Sequence, residues 1–172
     1  MKDQKSINQI IEKLKRTNTD EVLLTINHIR NSGEPKILKI LIELLNGTND
    51  EQIFSAIVNL LNDLKIQSAT SEIITAIQDD NFRKIRKNLL TSCWQSGLDY
   101  SGYLSLFVEI FIMNEFDIAF EAMTIIENIE ESYTDDIINP LIAKLELNRT
   151  TQTGTKKELF PGLIDILKNK IG

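Results

Sequence analysis

The sequence predicts an all-α protein of about five antiparallel helix hairpins stacked into a short superhelix. Three observations carry that expectation. Nearly every segment repeats its apolar residues at i, i+3, i+4 and i+7, the spacing that lines one face of a helix. Gly and Pro number only seven and three in 172 residues, too few for the turns of a β-sandwich or barrel. The apolar positions also recur every 31 to 33 residues, the drift expected of a stacked two-helix unit.

Taken in order, Ser6 is placed to cap a first helix whose apolar face is Ile7, Ile10, Ile11 and Leu14. Thr19 or Asp20 opens the second, with Val22, Leu23, Ile26 and Ile29 inward, and Ser32-Gly33 stops it. Pro35 suits the first turn of the third, where a missing N–H costs nothing, and Gly47 closes it after Ile37, Leu38, Leu41, Leu44 and Leu45. Asn49 and Gln52 resemble a capping box ahead of Ile53, Ile57, Leu60, Leu61 and Leu64. A short helix surrounds Ile73, Ile74 and Ile77. Asp79-Asp80-Asn81 breaks it and caps the next, with Ile85, Leu89, Leu90 and Cys93 inward and Gly97 at its end. Tyr103 to Met113 is apolar almost all round, the pattern of a deeply buried helix. Phe116 to Ile129 is amphipathic through Ala119, Met123 and Ile126. Thr134 opens a helix through Ile138, Leu141, Ile142 and Leu145, which Pro140 should kink or split. After a polar stretch from Asn148 to Gly154, the last helix runs from Lys156 to Lys170 around Leu159, Leu163, Ile166 and Leu167, with Pro161 near its start. Connections of two to five residues make sequential helices antiparallel neighbours.

The repeat is visible in two strings. Asp79-Asp80-Asn81-Phe82-Arg83-Lys84-Ile85-Arg86-Lys87-Asn88-Leu89-Leu90 resembles the inter-repeat turn and first helix of a HEAT repeat: an acidic turn residue, an apolar-Arg dipeptide, then small and large apolar residues. Asn49 to Leu61 is similar, with Phe54 where the Arg would stand. Ile53, Ile57 and Leu61 recur as Ile85, Leu89 and Cys93, and again as Ile118, Ala122 and Ile126. The resemblance to the HEAT-like, armadillo-type α-solenoid family spans Thr19 to about Leu145 and departs most over Tyr100 to Met113. It implies a right-handed α-α superhelix in one domain, 1–172, with 1–17 and 155–172 as capping helices around repeat hairpins at 19–147. Armadillo and tetratricopeptide arrays are neighbouring readings, although the tetratricopeptide Trp, Gly and Tyr signature is absent.

Chemistry-bearing motifs are scarce. The lone His28 and the lone Cys93 are more than sixty residues apart. They form no nucleophile–base pair in sequence, and both fall beside apolar helix positions, so structural roles are expected for each. Two such residues cannot supply a zinc site, and Gly33, Gly47 and Gly97 fit helix ends rather than a phosphate loop. No enzymatic activity, cofactor or metal is expected. A single Cys and the mixed charge of Met1 to Arg16 suit a cytoplasmic protein, and no run approaches the roughly 20 apolar residues of a membrane span.

Charge supplies the functional clue. The formal net charge is −6. Between Lys87 and Lys144 there is no Lys or Arg, while ten carboxylates fall in that interval, from Asp99 to Asp136. Surface helices ordinarily mix both signs, because i,i+4 ion pairs help and like charges repel. A one-sign third of the chain either solubilises the protein or steers a basic protein or peptide towards it. The same stretch holds Tyr100, Tyr103, Phe107, Phe111, Phe116, Phe120 and Tyr133. Their helical spacing reads as core, with Tyr100 and Tyr133, at helix starts, left partly exposed. The HEAT resemblance implies that second helices line a concave face, which selects Glu109, Asp135, Asp136 and Asn139, flanked by Tyr100 and Tyr103, as the partner-binding set. The expectation is therefore a monomeric, non-catalytic scaffold or adaptor for a basic protein or peptide, binding neither nucleic acid nor membrane. The same resemblance also admits a nucleic-acid-associated protein of the DNA glycosylase type, for which Arg83, Lys84, Arg86 and Lys87 make a small basic patch beside Asp79 and Asp80, or a regulatory subunit of an enzyme.

Overall fold

The computed structural model describes residues 4–30 and 34–172 and contains ten α-helices among them. They are α1 (Gln4–Leu14), α2 (Thr19–Ile29), α3 (Pro35–Gly47), α4 (Glu51–Asn62), α5 (Thr70–Gln78), α6 (Arg86–Ser96), α7 (Leu104–Met113), α8 (Phe116–Asn128), α9 (Asp135–Arg149) and α10 (Leu159–Lys168). Connections run from two to nine residues rather than two to five, because short 3₁₀ turns lead into α5, α6, α7 and α10. The expected Ser32-Gly33 stop lies outside the described residues.

The chain gathers into two compact units, Met1–Leu98 and Asp99–Gly172. In the first, α1 packs on α2, α3 on α4 and α5 on α6, as hairpins. Across hairpins, α1, α3 and α5 form one layer, and α2, α4 and α6 the other. The second unit repeats the scheme: α7 packs on α8 and α9 on α10, while α7 meets α9 and α8 meets α10. Neighbour packing of this kind is that of stacked hairpins, in which each helix finds its layer partner about one repeat along the chain.

Polar links trace the same period. Lys36 Nζ donates to Gln4 Oε1 at 2.8 Å. Thr19 Oγ1 donates to Asp50 Oδ2 at 2.6 Å, and Arg30 pairs with Asp63. Lys65 Nζ reaches the Ser96 carbonyl at 3.0 Å, and in the second unit the Tyr133 hydroxyl donates to the Ser101 carbonyl at 2.8 Å. Each bond joins residues 31 to 33 apart.

α2, α3 and α8 begin at Thr19, Pro35 and Phe116, as expected. Asn18 caps α2 by accepting from the Glu21 N–H, and Asp50, not Asn49, caps α4 by accepting from Gln52 and Ile53. Asp50 also accepts from the Thr19 hydroxyl, so the carboxylate that caps α4 is tied to the first residue of α2. These three bonds, with the Thr19 hydroxyl first, hold the Asp50 carboxyl below its ordinary range. Asp79 accepts from the Asn81 N–H as expected, although the helix after it begins as a 3₁₀ stretch, Asp80–Ile85.

Inward positions agree closely with the periodic reading. Ile53, Ile57, Leu60, Leu61, Leu64, Ile85, Leu89, Leu90 and Cys93 are all buried. α7 buries six of its ten residues. Pro140 neither splits nor ends α9, which continues to Arg149; the proline sits in the second turn on an exposed position. Two glycines have physical causes. Gly97 ends α6 at φ +67°, in the left-handed region that a Cβ disfavours. A Cβ on Gly162 of α10 would meet Met123 of α8 at 3.1 Å, so Gly162 allows close approach of that layer pair.

Gly97→Ala adds a Cβ that meets nothing within 4 Å, so its cost is purely that of the backbone. A loss of about 1 kcal/mol is expected. Urea denaturation should register it as a lower midpoint with an unchanged slope.

Candidate functional site

The acidic segment belongs to the second unit. Asp99–Gly172 carries 13 acidic and 6 basic residues, a net charge of −7, whereas the residues before it carry 12 and 13, a net charge of +1. The unit boundary at Leu98 and Asp99 is thus also a charge boundary.

Three lysines that follow the acidic stretch turn back on it. Lys144 of α9 pairs with Glu109 of α7 at 2.7 Å. Lys156, before α10, is buried and donates to the Ile112 carbonyl at 2.7 Å, with its Nζ 5.9 Å from the centre of the Phe111 ring. Lys170, after α10, donates to the Glu127 carbonyl at 3.4 Å and to that of Ile129. Lys156 and Lys170 therefore satisfy carbonyls at the C-terminal ends of α7 and α8, where the helix dipole also favours a cation. Burial lowers both ammonium pKa values, against opposing pulls from Glu115 on Lys156 and Glu127 on Lys170.

Tyr133 ties the start of α7, the α8–α9 connection and the C-terminal tail together. Its hydroxyl donates to the Ser101 carbonyl, its N–H donates to the Lys170 carbonyl at 2.8 Å, and its carbonyl accepts from Gly172 at 3.2 Å. A single parallel bridge with Ile171 results. Burial, then the negative charges of Glu131 and Asp99, push the phenol up to about 12. Asp99 is itself held below its ordinary range, chiefly by the Ser101 N–H.

The expected binding set divides on this scaffold. Tyr100 is only 2% exposed, and its ring packs edge-on to Phe107 at 6.1 Å and near Tyr103 at 6.4 Å. The expected partial exposure of Tyr100 is therefore wrong: the 3₁₀ turn before α7 folds the ring under the helix, and Tyr103 alone is half-exposed there. Tyr133 is half-buried, as expected of it. Glu109 is exposed but joined to Lys144. Asp135, Asp136 and Asn139 are exposed on the first turns of α9. At about 100° per residue, Asp136 lies roughly 80° around α9 from Lys144, which faces α7, while Asp135 lies on the opposite side. Glu109 and Asp136 can share a face; Asp135 and Asn139 occupy another.

The exposed aromatics are different ones. Phe116 and Phe120, expected in the core, are 39% and 49% exposed on α8, with rings stacked at 6.1 Å and 19°. The core arc of α8 is formed by Ala119, Ala122, Ile125 and Ile126 instead. The repeat register carried this signal. Aligning Ile118, Ala122 and Ile126 with Ile85, Leu89 and Cys93, and with Ile53, Ile57 and Leu61, puts Phe116 level with Arg83 and Glu51, and Phe120 level with Lys87 and Ser55. All four of those counterparts are exposed.

Elsewhere, Cys93 is buried on α6, while His28 is exposed on α2 rather than set among Ile26 and Ile29. His28 borders a groove with Ile10, Leu24 and Arg16 that contains no Ser or Cys. Among the described residues, no three His, Cys, Asp or Glu side chains gather to hold a metal ion, and no helix is long and apolar enough to cross a membrane. Of the basic cluster, Arg86 turns to the Ile77 carbonyl and to Asp80, each at 2.9 Å. Neither a scan of protein-family models nor a search of curated proteins gives a match to this chain.

The Tyr133 phenol favours the folded state while it is neutral. With its folded pKa raised from 10 to about 12, that contribution is complete below pH 10 and is lost as pH rises through 12. Tyr133→Phe should therefore flatten the alkaline decline of thermal stability over that window, as followed by circular dichroism. It should also remove from the ultraviolet titration a phenolate that appears well above the ordinary range.

Proposed function

We propose that this chain is a non-catalytic binding module of HEAT-like hairpin repeats, coiled as a right-handed superhelix, which recruits a basic protein or peptide through the acidic surface of its C-terminal unit. The observation that carries the reading is the charge division: 56 consecutive residues without a base, all ten of their carboxylates in one unit. The recurrence of inter-hairpin bonds at 31 to 33 residues supports the repeat assignment. Lys144, Lys156 and Lys170 attend Glu109, Glu115 and Glu127, and two of the three are committed to capping helix ends. Asp135, Asp136, Glu130 and Glu131 remain on the exposed surface around the start of α9, with Tyr103, Glu109 and Asn139 as further candidates for contact.

Such a surface acts through long-range attraction, which raises the association rate and is screened by salt. A synthetic Lys- and Arg-rich peptide should bind at low ionic strength and lose about tenfold or more of its affinity at high salt. Asp135→Lys combined with Asp136→Lys should slow association while leaving dissociation nearly unchanged, as read by stopped-flow fluorescence. A salt-independent affinity would remove the basis of this reading. Stronger binding to duplex DNA than to the peptide would replace it with a nucleic-acid role.

A further inference from the structure

Resting on that reading, we infer that the stacked Phe116–Phe120 pair on α8 is the anchor of the docking surface, and that its occupant is an amphipathic helix of a partner protein, with apolar residues one turn apart flanked by Lys or Arg. Four observations lead there. The two rings are half-exposed although α8 completes its core arc without them. They occupy repeat positions that α4 fills with Glu51 and Ser55, and that the stretch leading into and opening α6 fills with Arg83 and Lys87; all four are exposed. The corresponding residues of α2, Asp20 and Leu24, are exposed as well. These positions face solvent in α2, in α4, at the start of α6 and in α8, and of these only α8 gives both of them to aromatics.

The geometry selects a helix. Ring centroids 6.1 Å apart and nearly parallel repeat at about the 5.4 Å pitch of an α-helix. A helix lying alongside α8 can therefore set side chains at i and i+4, or i and i+3, against successive rings. Charge selects its flanks. Asp117 and Glu121 each follow one of the phenylalanines, Glu115 precedes them, and α8 and its neighbouring segments contain no base from 88 to 143. Lys or Arg beside the apolar anchors meets those carboxylates, or the ring faces themselves as a cation–π contact.

The test uses the whole chain and two synthetic helical peptides. One carries Leu at i and i+4 with flanking Lys; the other has both Leu replaced by Ser and keeps its charge. The first should bind at least about tenfold more tightly than the second, and Phe116→Ala with Phe120→Ala should abolish that difference. Phe120→Tyr should retain it. The substituted positions are exposed, so the melting temperature should hold. Should the double variant nevertheless fail to fold, ring-proton shifts of Phe116 and Phe120 in the unaltered protein on peptide addition read the same contact. Equal binding of both peptides, untouched by the double variant or without ring-proton shifts, overturns the anchor and leaves the acidic-surface reading standing. No binding of either peptide at low salt overturns both. A dimer by light scattering that the double variant dissolves also overturns the inference, because the occupant is then a second copy of this chain.

Discussion

Each helix in this protein depends on a layer partner about one repeat away in sequence. A hairpin alone leaves one flank of each helix uncovered, and the next hairpin covers it. The Thr19–Asp50 bond condenses that dependence into one carboxylate. Asp50 caps its own helix through the Gln52 and Ile53 N–H groups and receives the Thr19 hydroxyl from the helix one layer position earlier. Helix initiation and hairpin stacking are thus joined at one side chain. The connections vary from two to nine residues, yet five of the cross-links join residues 31 to 33 apart, because the core pins the helices and the loops take up the slack. Loop length is thermodynamically permissive, while a packed interior is not.

The same constraint organises the charge of the C-terminal unit. Ten carboxylates without an interspersed base would repel one another. The bases that relieve this come from outside the stretch: Lys144 returns to Glu109 by layer contact, and Lys156 and Lys170 bracket α10 and reach the ends of α7 and α8. Two of these lysines make hydrogen bonds to carbonyls rather than direct ion pairs. Their stabilising effect is therefore less exposed to salt than the carboxylate surface around them.

Periodicity made most of the architecture legible, and its failures have physical causes. A 3.6-residue pattern identifies an apolar face cleanly where polar residues frame it, as in α4, where Ile53, Ile57, Leu60 and Leu61 are all buried, as is Leu64 just beyond its end. It cannot choose an arc when apolar residues surround the helix or alternate sizes, and so it misassigned the aromatics of the C-terminal unit. Tyr100 and Phe120 exchanged their expected environments because a 3₁₀ turn rotates the first inward, and because Ala119 and Ala122 let α8 pack on its small side. The α4 cap fell one residue from its expected place, at Asp50 rather than Asn49, since two adjacent polar residues compete for the role and Asp50 is also held by the Thr19 hydroxyl. Pro140 was tolerated because its position on α9 faces solvent, where a missing N–H strands no buried carbonyl. The acidic stretch was fully visible in sequence; the return of the lysines to it was not, because it depends on contacts between residues as far apart as 44 positions.

The repeat register separates what serves the fold from what does not. Positions that are apolar in every copy, such as Ile57, Leu89 and Ala122, build the stack and are buried. Positions that are polar and exposed in α4 and at the start of α6 have no packing requirement to meet. An aromatic placed there gains only its neighbour's ring, a contact worth about 0.5–1.5 kcal/mol, and forgoes most of what burial in the core would contribute. Two such aromatics, one turn apart on the most one-signed surface of the chain, are poorly explained by the stability of this unit alone. Their arrangement is better explained by a second surface that completes their burial, and the charge around them constrains the sign of that surface.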